Sequence, residues 1–418
     1  MFRLLVSTTL VLVLTRLVEG GEGPAPLRLD DVIAEAQAAN PSIRAARERA
    51  RAAAAMPARV SAWDDPTVSW ESWNFPDSFR LDHADNNIIR LSQKIPFPGK
   101  RGLAGAVAER AADVARGETD AVALDVVTAV KTAYWDLWHA HQVLHVYTRD
   151  RGLMDRFARI AEQRYGVGAV SQADALRAQI ELTRLANRTS SQALTIQSET
   201  AALNALLSRE PDAPLGVPED PPAPRLDRSV DALVELALAR RPELAAQGAA
   251  IARDETGVRL AHRERLPDFE VAGSRFVNYG SRDGFGAFVS VTVPLAQRGR
   301  YDAAVSEAEA RLAAARADRR RLEDTIRRDV TQAFLRARAA LDRRTLHVTT
   351  HIPQTEQALR VTEGGYQAGS VDFGTLTETA RSLEEVHLEH LEAAADFEKA
   401  WAELERAVGT PLERGVTR

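Results

Sequence analysis

The sequence predicts a mainly α-helical chain with a small β part: long antiparallel helical hairpins that carry four short strands. Three observations predict it. The chain repeats itself once, each half contains a helical stretch far longer than a compact domain needs, and each half contains two short runs that alternate apolar and polar residues.

The repeat is read from landmarks in fixed order. Asn40-Pro41 answers to Arg241-Pro242, Pro66 to Pro267, Ile95-Pro96-Phe97 to Val293-Pro294-Leu295, Val130–Tyr134 to Val330–Phe334, and Tyr165–Val170 to Tyr366–Val371. The offset drifts only from 198 (293 − 95) to 201 (366 − 165). This gives a first repeat at 21–208, a second at 229–412 and a short tail at 413–418. Between the repeats, 209–228 carries Pro211, Pro214, Pro218, Pro221, Pro222 and Pro224, which forbid helix.

The N-terminus predicts a secretory leader over 1–20: Arg3 is followed by the apolar run Leu4–Leu14, too short to span a bilayer, with small residues before a cut after Gly20. Each half then opens with a helix, Leu29–Met56 or Val230–Arg263. Leu29, Val32, Ile33 and Ala36 share one face of the first, and Asp30 and Asp31 complement its positive end.

Strands follow at about 66–75 and 87–96, and again at about 267–279 and 285–294. In Asn87–Ile95, Ile89, Leu91 and Ile95 share one face while Arg90 and Lys94 lie on the other. In Phe285–Val293 the apolar set includes Val289 and Val291. Each pair reads as a hairpin, closed by a long polar loop at Pro76–Asn86 and a short turn at Gly280–Gly284. Strands of about ten residues can cross a bilayer when tilted, but four leave open edges that lipid cannot satisfy. Either they form a soluble sheet or several chains pool them; three chains would supply about twelve.

Long helices come next, roughly Leu103–Gln163 and Asp302–Glu363, each followed by a Gly-containing turn and a return helix. Sixty residues reach roughly 90 Å. Their mixture of Ala with charge suits close packing of helices in a coiled-coil manner, which a soluble coiled-coil scaffold would share.

Several function classes drop out. The net charge of −5 provides no footprint for nucleic acid. With no cysteine there is no disulfide, thiolate metal site or Cys nucleophile. Neither a phosphate-binding Gly-rich loop nor a G-x-S-x-G or H-E-x-x-H motif occurs, and acid pairs such as Glu384-Glu385 read as solvated helix faces. No enzyme and no cofactor is expected.

The motif Arg164-Tyr165-x-x-Gly168-x-Val170-x-x-x-Asp174 resembles the helix-hairpin signature of TolC-type outer-membrane efflux proteins, and Gly365-Tyr366-x-x-Gly369-Ser-Val371 resembles its second-half counterpart. Gln93–Arg101 (QKIPFPGKR) is similar to the family's strand-to-helix junction, especially in its heavy-metal efflux branch. The resemblance covers nearly all of the chain after the leader. It implies a homotrimer whose strands form a twelve-stranded transmembrane β-barrel in outer-membrane lipid, continued by an α-barrel tunnel in the periplasm. It implies a passive exit duct for metal ions or small toxic compounds, working with a periplasmic adaptor (membrane fusion) protein and an inner-membrane resistance-nodulation-division pump. The alternatives are a soluble periplasmic scaffold and a type I protein-secretion duct.

The resemblance also assigns positions. The turns with Gly168, Val170, Gly369 and Val371 would form the periplasmic tip and meet the adaptor; Tyr165, Asp174 and Tyr366 would close the pore mouth. The family's latch arginine corresponds to Val371 here, which leaves Arg164 and Arg360 as nearby candidates. Ile89, Leu91, Val289 and Val291 would face lipid. Independently, His141/His145, His347/His351 and His387/His390 form pairs at helical spacing. Counted from Gly369, the last two pairs fall at one height, roughly 30 Å from the turn, where their imidazoles could take a Zn²⁺ or Cu²⁺ ion.

Overall fold

The computed structural model describes residues 26–74, 84–168, 170–278, 282–294 and 298–413. The leader at 1–20, most of the loop Pro76–Asn86, part of the turn Gly280–Gly284 and the tail beyond residue 413 lie outside them.

Each repeat opens with two helices instead of the single one expected: α1 (Leu29–Ala39) and α2 (Pro41–Val60), then α5 (Val230–Arg240) and α6 (Pro242–Glu264). Proline drives the residue before it out of the helical region. Asn40 and Arg241 are accordingly extended, at ψ 126° and 121°. Asn40 then caps α2, its Oδ1 accepting from the Ser42 amide at 2.9 Å, and its Nδ2 donates to the Leu206 carbonyl at 2.9 Å.

Strands β1 (Thr67–Trp73), β2 (Asn86–Ile95), β3 (Asp268–Asn278) and β4 (Gly284–Thr292) form one antiparallel sheet in sequence order. The two repeats thus meet edge to edge at β2 and β3, and β1 and β4 present the outer edges. The long helix of the first repeat, α3 (Lys100–Gly166), is unbroken over 67 residues, about 100 Å. Its counterpart is not continuous, contrary to expectation: α7 (Arg298–Leu346) passes through a π-helical segment, His347–His351, into α8 (Ile352–Ala368). The return helices are α4 (Gln172–Leu207) and α9 (Phe373–Val408).

The helices form an open arc. Toward the turns the main contacts run from α4 to α3, α3 to α9 and α9 to α8; toward the sheet, α2, α3, α6 and α7 follow one another. Three apolar clusters fill the arc. Tyr134, Trp135, Trp138, Leu203 and Leu207 pack with α1 and α2; Ile326, Val330, Phe397, Trp401 and Leu404 pack with α5; Phe157, Leu185, Leu359, Tyr366 and Phe373 pack near the turns. The Pro-rich join is pinned to α3. Tyr134 donates its hydroxyl to the Leu27 carbonyl at 2.7 Å and accepts from the Glu219 amide at 2.9 Å, while Trp138 donates to Asp220 at 3.0 Å. Burial pushes the Tyr134 phenol up to about 12.

The two repeats approach closely at Gly117 of α3, where an added Cβ would lie 2.8 Å from the Ala246 Cβ and 3.2 Å from its backbone. Gly117→Ala should therefore force α3 from α6 and destabilise the fold by about 1–3 kcal/mol despite its better helix propensity. A fall in apparent melting temperature would be seen; an unchanged or raised one would show that the contact yields without cost.

Candidate functional site

The chain has two candidate working ends, the sheet and the helix turns. At the sheet, the registry of partners sorts every side chain onto one of two faces. Trp70 lies opposite Ile89, Ile89 opposite Arg275, and Arg275 opposite Phe285; Val68, Leu91, Gly273 and Ala287 form the next row. Continuing, Gln93, Val271 and Val289 align, then Ile95, Phe269 and Val291. Ile89, Leu91, Val289 and Val291 therefore share one face, mainly apolar but including Ser72, Asn87 and Gln93, and all four are exposed. Its one charge, Arg275, sits near the β3–β4 turn and pairs with Asp283 at 3.0 Å. The opposite face carries Ser69, Glu71, Arg90, Ser92, Lys94, Glu270, Ser274 and Ser290. There Arg90 lies 3.8 Å from Glu71 and 5.7 Å from the Phe288 ring centre.

The sheet is fixed to the helices at the start of α3. Gly99 adopts φ +95°, which turns the chain out of β2. Lys100 donates to the Leu266 carbonyl at 2.7 Å and pairs with Asp268 at 2.8 Å, and the Phe97 amide donates to the same carboxylate at 2.8 Å. The junction of one repeat is thus locked to the first residue of β3 in the other.

At the helix turns, Gly168 and Gly369 adopt φ +75° and +82°, left-handed conformations that glycine takes without strain. The Gly369 amide donates to the Tyr366 carbonyl at 3.1 Å and that of Ser370 to Gly365 at 2.9 Å, closing α8. Asp372 caps α9 by accepting from the Thr375 amide at 3.0 Å, and this bond holds its carboxyl below the usual range. Val170 follows the first turn. Val371 covers Gly365 so closely that a Cβ added there would lie 2.6 Å from its Cγ2.

The two turn tyrosines are not equivalent. Tyr165 is half exposed, whereas Tyr366 is buried with its ring 5.6 Å from that of Phe373. No hydrogen bond links Tyr366 to Asp174: the Tyr366 hydroxyl has no partner, and the Asp174 carboxylate lies 3.7 Å from Arg177. Burial raises the Tyr366 phenol. The link between the two turns comes from Arg164, at the end of α3. It donates to the Tyr366 carbonyl and holds its guanidinium 5.1 Å from the Tyr366 ring centre. Arg360 stays on its own helix, with Gln357 and Glu356.

The profile of the outer membrane efflux proteins matches residues 32–209 and again 233–410, one match for each repeat. The chain belongs to the outer membrane efflux protein family. It is 23% identical over 399 residues to the cobalt-zinc-cadmium resistance protein CzcC of Cupriavidus metallidurans, covering 93% of this chain and 91% of that protein. It is 28% identical over 245 residues to the protein CyaE of Bordetella pertussis, covering 54% of this chain and 52% of CyaE, so that match spans only about half of either protein. Among solved structures it resembles CusC, described in connection with transmembrane channel formation, at TM-score 0.78 and 14% identity over 94% of this chain and 96% of that one.

In this efflux protein the acid pair Glu384-Glu385 is not uniformly solvated: Glu385 is exposed, but Glu384 is buried and accepts from Arg188 of α4. Glu181 of α4, also buried, takes Arg381 of α9 and, at 3.1 Å, Arg184. These crossed pairs bind the two hairpins together above the turns. The signal was available in the spacing, since Glu181 falls in helical register with buried Ala178 and Leu185, and Glu384 with Phe373, Thr377 and Ala380.

The histidines do not form the expected metal site. Among the described residues no group of three or more His, Asp or Glu side chains is arranged to hold a metal ion. His347 and His351 pack edge to face at 5.2 Å between ring centres, and the His387 Nδ1 is already occupied by Arg149 at 3.1 Å and the Leu383 carbonyl at 2.8 Å. Also among these residues, no helix is long and apolar enough to cross a membrane.

Proposed function

We propose that three copies of this chain form an exit duct through the outer membrane, carrying divalent metal ions outward. The single observation that carries this reading is the two-faced sheet: one face mainly apolar and exposed, the other carrying most of the charges, with open edges at β1 and β4. Each unsatisfied backbone group costs several kcal/mol in hydrocarbon, so the edges must pair with other copies. Three copies give about twelve strands, a closed number for such barrels. The helical arc asks for the same neighbours. Its outer members expose apolar side chains, Leu176, Ile180 and Leu194 on α4 and Leu335 and Val361 on α7 and α8. A soluble scaffold has no use for an exposed apolar sheet face.

In the closed assembly the face with Ile89, Leu91, Val289 and Val291 meets lipid, and Arg90 and Lys94 line a wet lumen. The α3 to α4 and α8 to α9 turns, with Gly168, Val170, Gly369 and Val371, form the periplasmic tip that docks an adaptor protein, and Tyr165, Asp174 and Tyr366 lie at its mouth. An inner-membrane pump supplies the energy; the duct performs no chemistry. The metal cargo rests on the near full-length likeness to CzcC. A native mass measurement in detergent should give three chains, and a folded monomer would overturn the assembly. For the cargo, a deletion strain should gain sensitivity to cobalt, zinc and cadmium; sensitivity to organic toxicants alone would transfer the duct to other substrates.

A further inference from the structure

Along the long helices the two repeats differ by one residue. Val130 answers to Val330, an offset of 200 (330 − 130), whereas Tyr165 answers to Tyr366, an offset of 201 (366 − 165). The second repeat holds one extra residue between these landmarks, and the π segment His347–His351 lies there. A π turn is the way a helix accommodates a single inserted residue without losing its axis. Pro353 follows two residues later and lacks the amide that would hold the next turn, so α7 and α8 meet at a weakened joint. In the first repeat α3 runs past the same height unbroken.

The joint is lined by imidazoles. His347 is buried, His351 packs against it, and His387 and His390 come from α9. The Nδ1 atoms of His347 and His390 are buried without a hydrogen-bond partner. The charged groups around them come from every neighbouring element: Arg344 from α7, Arg149 and the buried Asp150 from α3, Glu356 from α8, and Glu389 from α9, whose Oε2 is 4.0 Å from His347 Nδ1. His387 Nδ1 lies 3.1 Å from the Arg149 guanidinium and 2.8 Å from the Leu383 carbonyl. Asp150 Oδ1 answers Arg149 at 3.1 Å, while its buried Oδ2 has no hydrogen-bond partner. A proton added to His390 meets Arg344, His347 and His387.

We propose that the π segment is a proton-sensitive hinge: neutral His390, packed beside His347, closes α7 and α8 onto α9, and its protonation releases the joint so that the second hairpin bends while the first stays rigid. Burial first, then Arg344, lowers His390 to about 4, and burial with Arg149 lowers His387. The folded state therefore favours the neutral rings. Its stability at the joint is complete above pH 6.5, the value of a free imidazole, and is lost as pH falls from there toward 4. The inference concerns the chain itself and stands whether or not the trimer conducts; only its use as a gate rests on the duct reading.

Hydrogen exchange of the full-length protein tests it, with rates corrected for intrinsic pH dependence. Between pH 7 and 4.5, protection of 341–360 should fall about tenfold or more, while Val130–Leu137 in α3 should keep theirs. His390→Leu should remove this pH dependence while retaining protection at pH 7. His390→Gln, a milder change, should at least halve the logarithmic drop if His390→Leu fails to fold. Protection of 341–360 that is independent of pH in the natural protein, a parallel fall in α3, or an undiminished drop in His390→Gln would overturn the hinge.

Discussion

Arginine at Val289 should abolish assembly, and glutamine at Arg90 should leave it intact. Val289 pairs with Val271 near the middle of the sheet, on the face it shares with Ile89, Leu91 and Val291. A cation on the lipid face at mid-depth costs about 2–4 kcal/mol, and threefold symmetry repeats it to about 6–12 kcal/mol per trimer. Val291 lies two residues nearer the helix junction, so Val291→Arg should be milder, because the penalty falls to about 0–1 kcal/mol at the interface. Arg90 is on the opposite face, one residue from Ile89 and Leu91. Glutamine is the appropriate substitute, since a glutamate would stand against Glu71, 3.8 Å from the present guanidinium. The fraction of trimer in the outer-membrane fraction is the readout. Equal loss in the two variants would mean that the faces are inverted or that the sheet never meets lipid.

The faces were legible in the sequence because a strand's side chains alternate strictly, so Ile89 and Leu91 against Arg90 and Lys94 already state which residues travel together. Which strand neighbours which was not legible, since nothing local says that β2 pairs with β3 across the Pro-rich join. The breaks before Pro41 and Pro242 carry a local signal, since proline drives the residue before it out of the helical region, as Asn40 and Arg241 show. The π segment left only a trace, one unit of drift in the repeat offset, which by itself does not say where the extra residue is housed. The burial of Glu384 was hard to see for a different reason. A charged pair on a charge-rich helix looks solvated unless each member is placed in the 3.6-residue period, and only one of the two falls on the buried stripe.

The turn region is where the family resemblance and the structure can be tested against each other. The resemblance implies that Tyr366 and Asp174 close the pore mouth together. Here the hydroxyl bonds to nothing, and the backbone carbonyl and ring of Tyr366 are what Arg164 holds. A charge-assisted hydrogen bond of this kind contributes about 1.5–3 kcal/mol. Losing it shifts the balance toward a released hairpin by about ten- to a hundred-fold, at 1.36 kcal/mol for each factor of ten. Arg164→Ala should therefore raise the mean conductance of the trimer in a planar bilayer several-fold. Tyr366→Phe retains the ring against Phe373 and the carbonyl, so its conductance should match the natural protein. Asp174→Asn should do little, because the Asp174 carboxylate contacts Arg177 on its own helix. Tyr366→Ala is uninformative about gating, since emptying a site packed by Phe373 should cost about 3–5 kcal/mol of fold stability. If Tyr366→Phe opens the pore as far as Arg164→Ala does, the hydroxyl is the latch after all and the arginine only supports it. If neither variant changes conductance, Arg164 ties the hairpins together for packing alone and the pore is closed elsewhere.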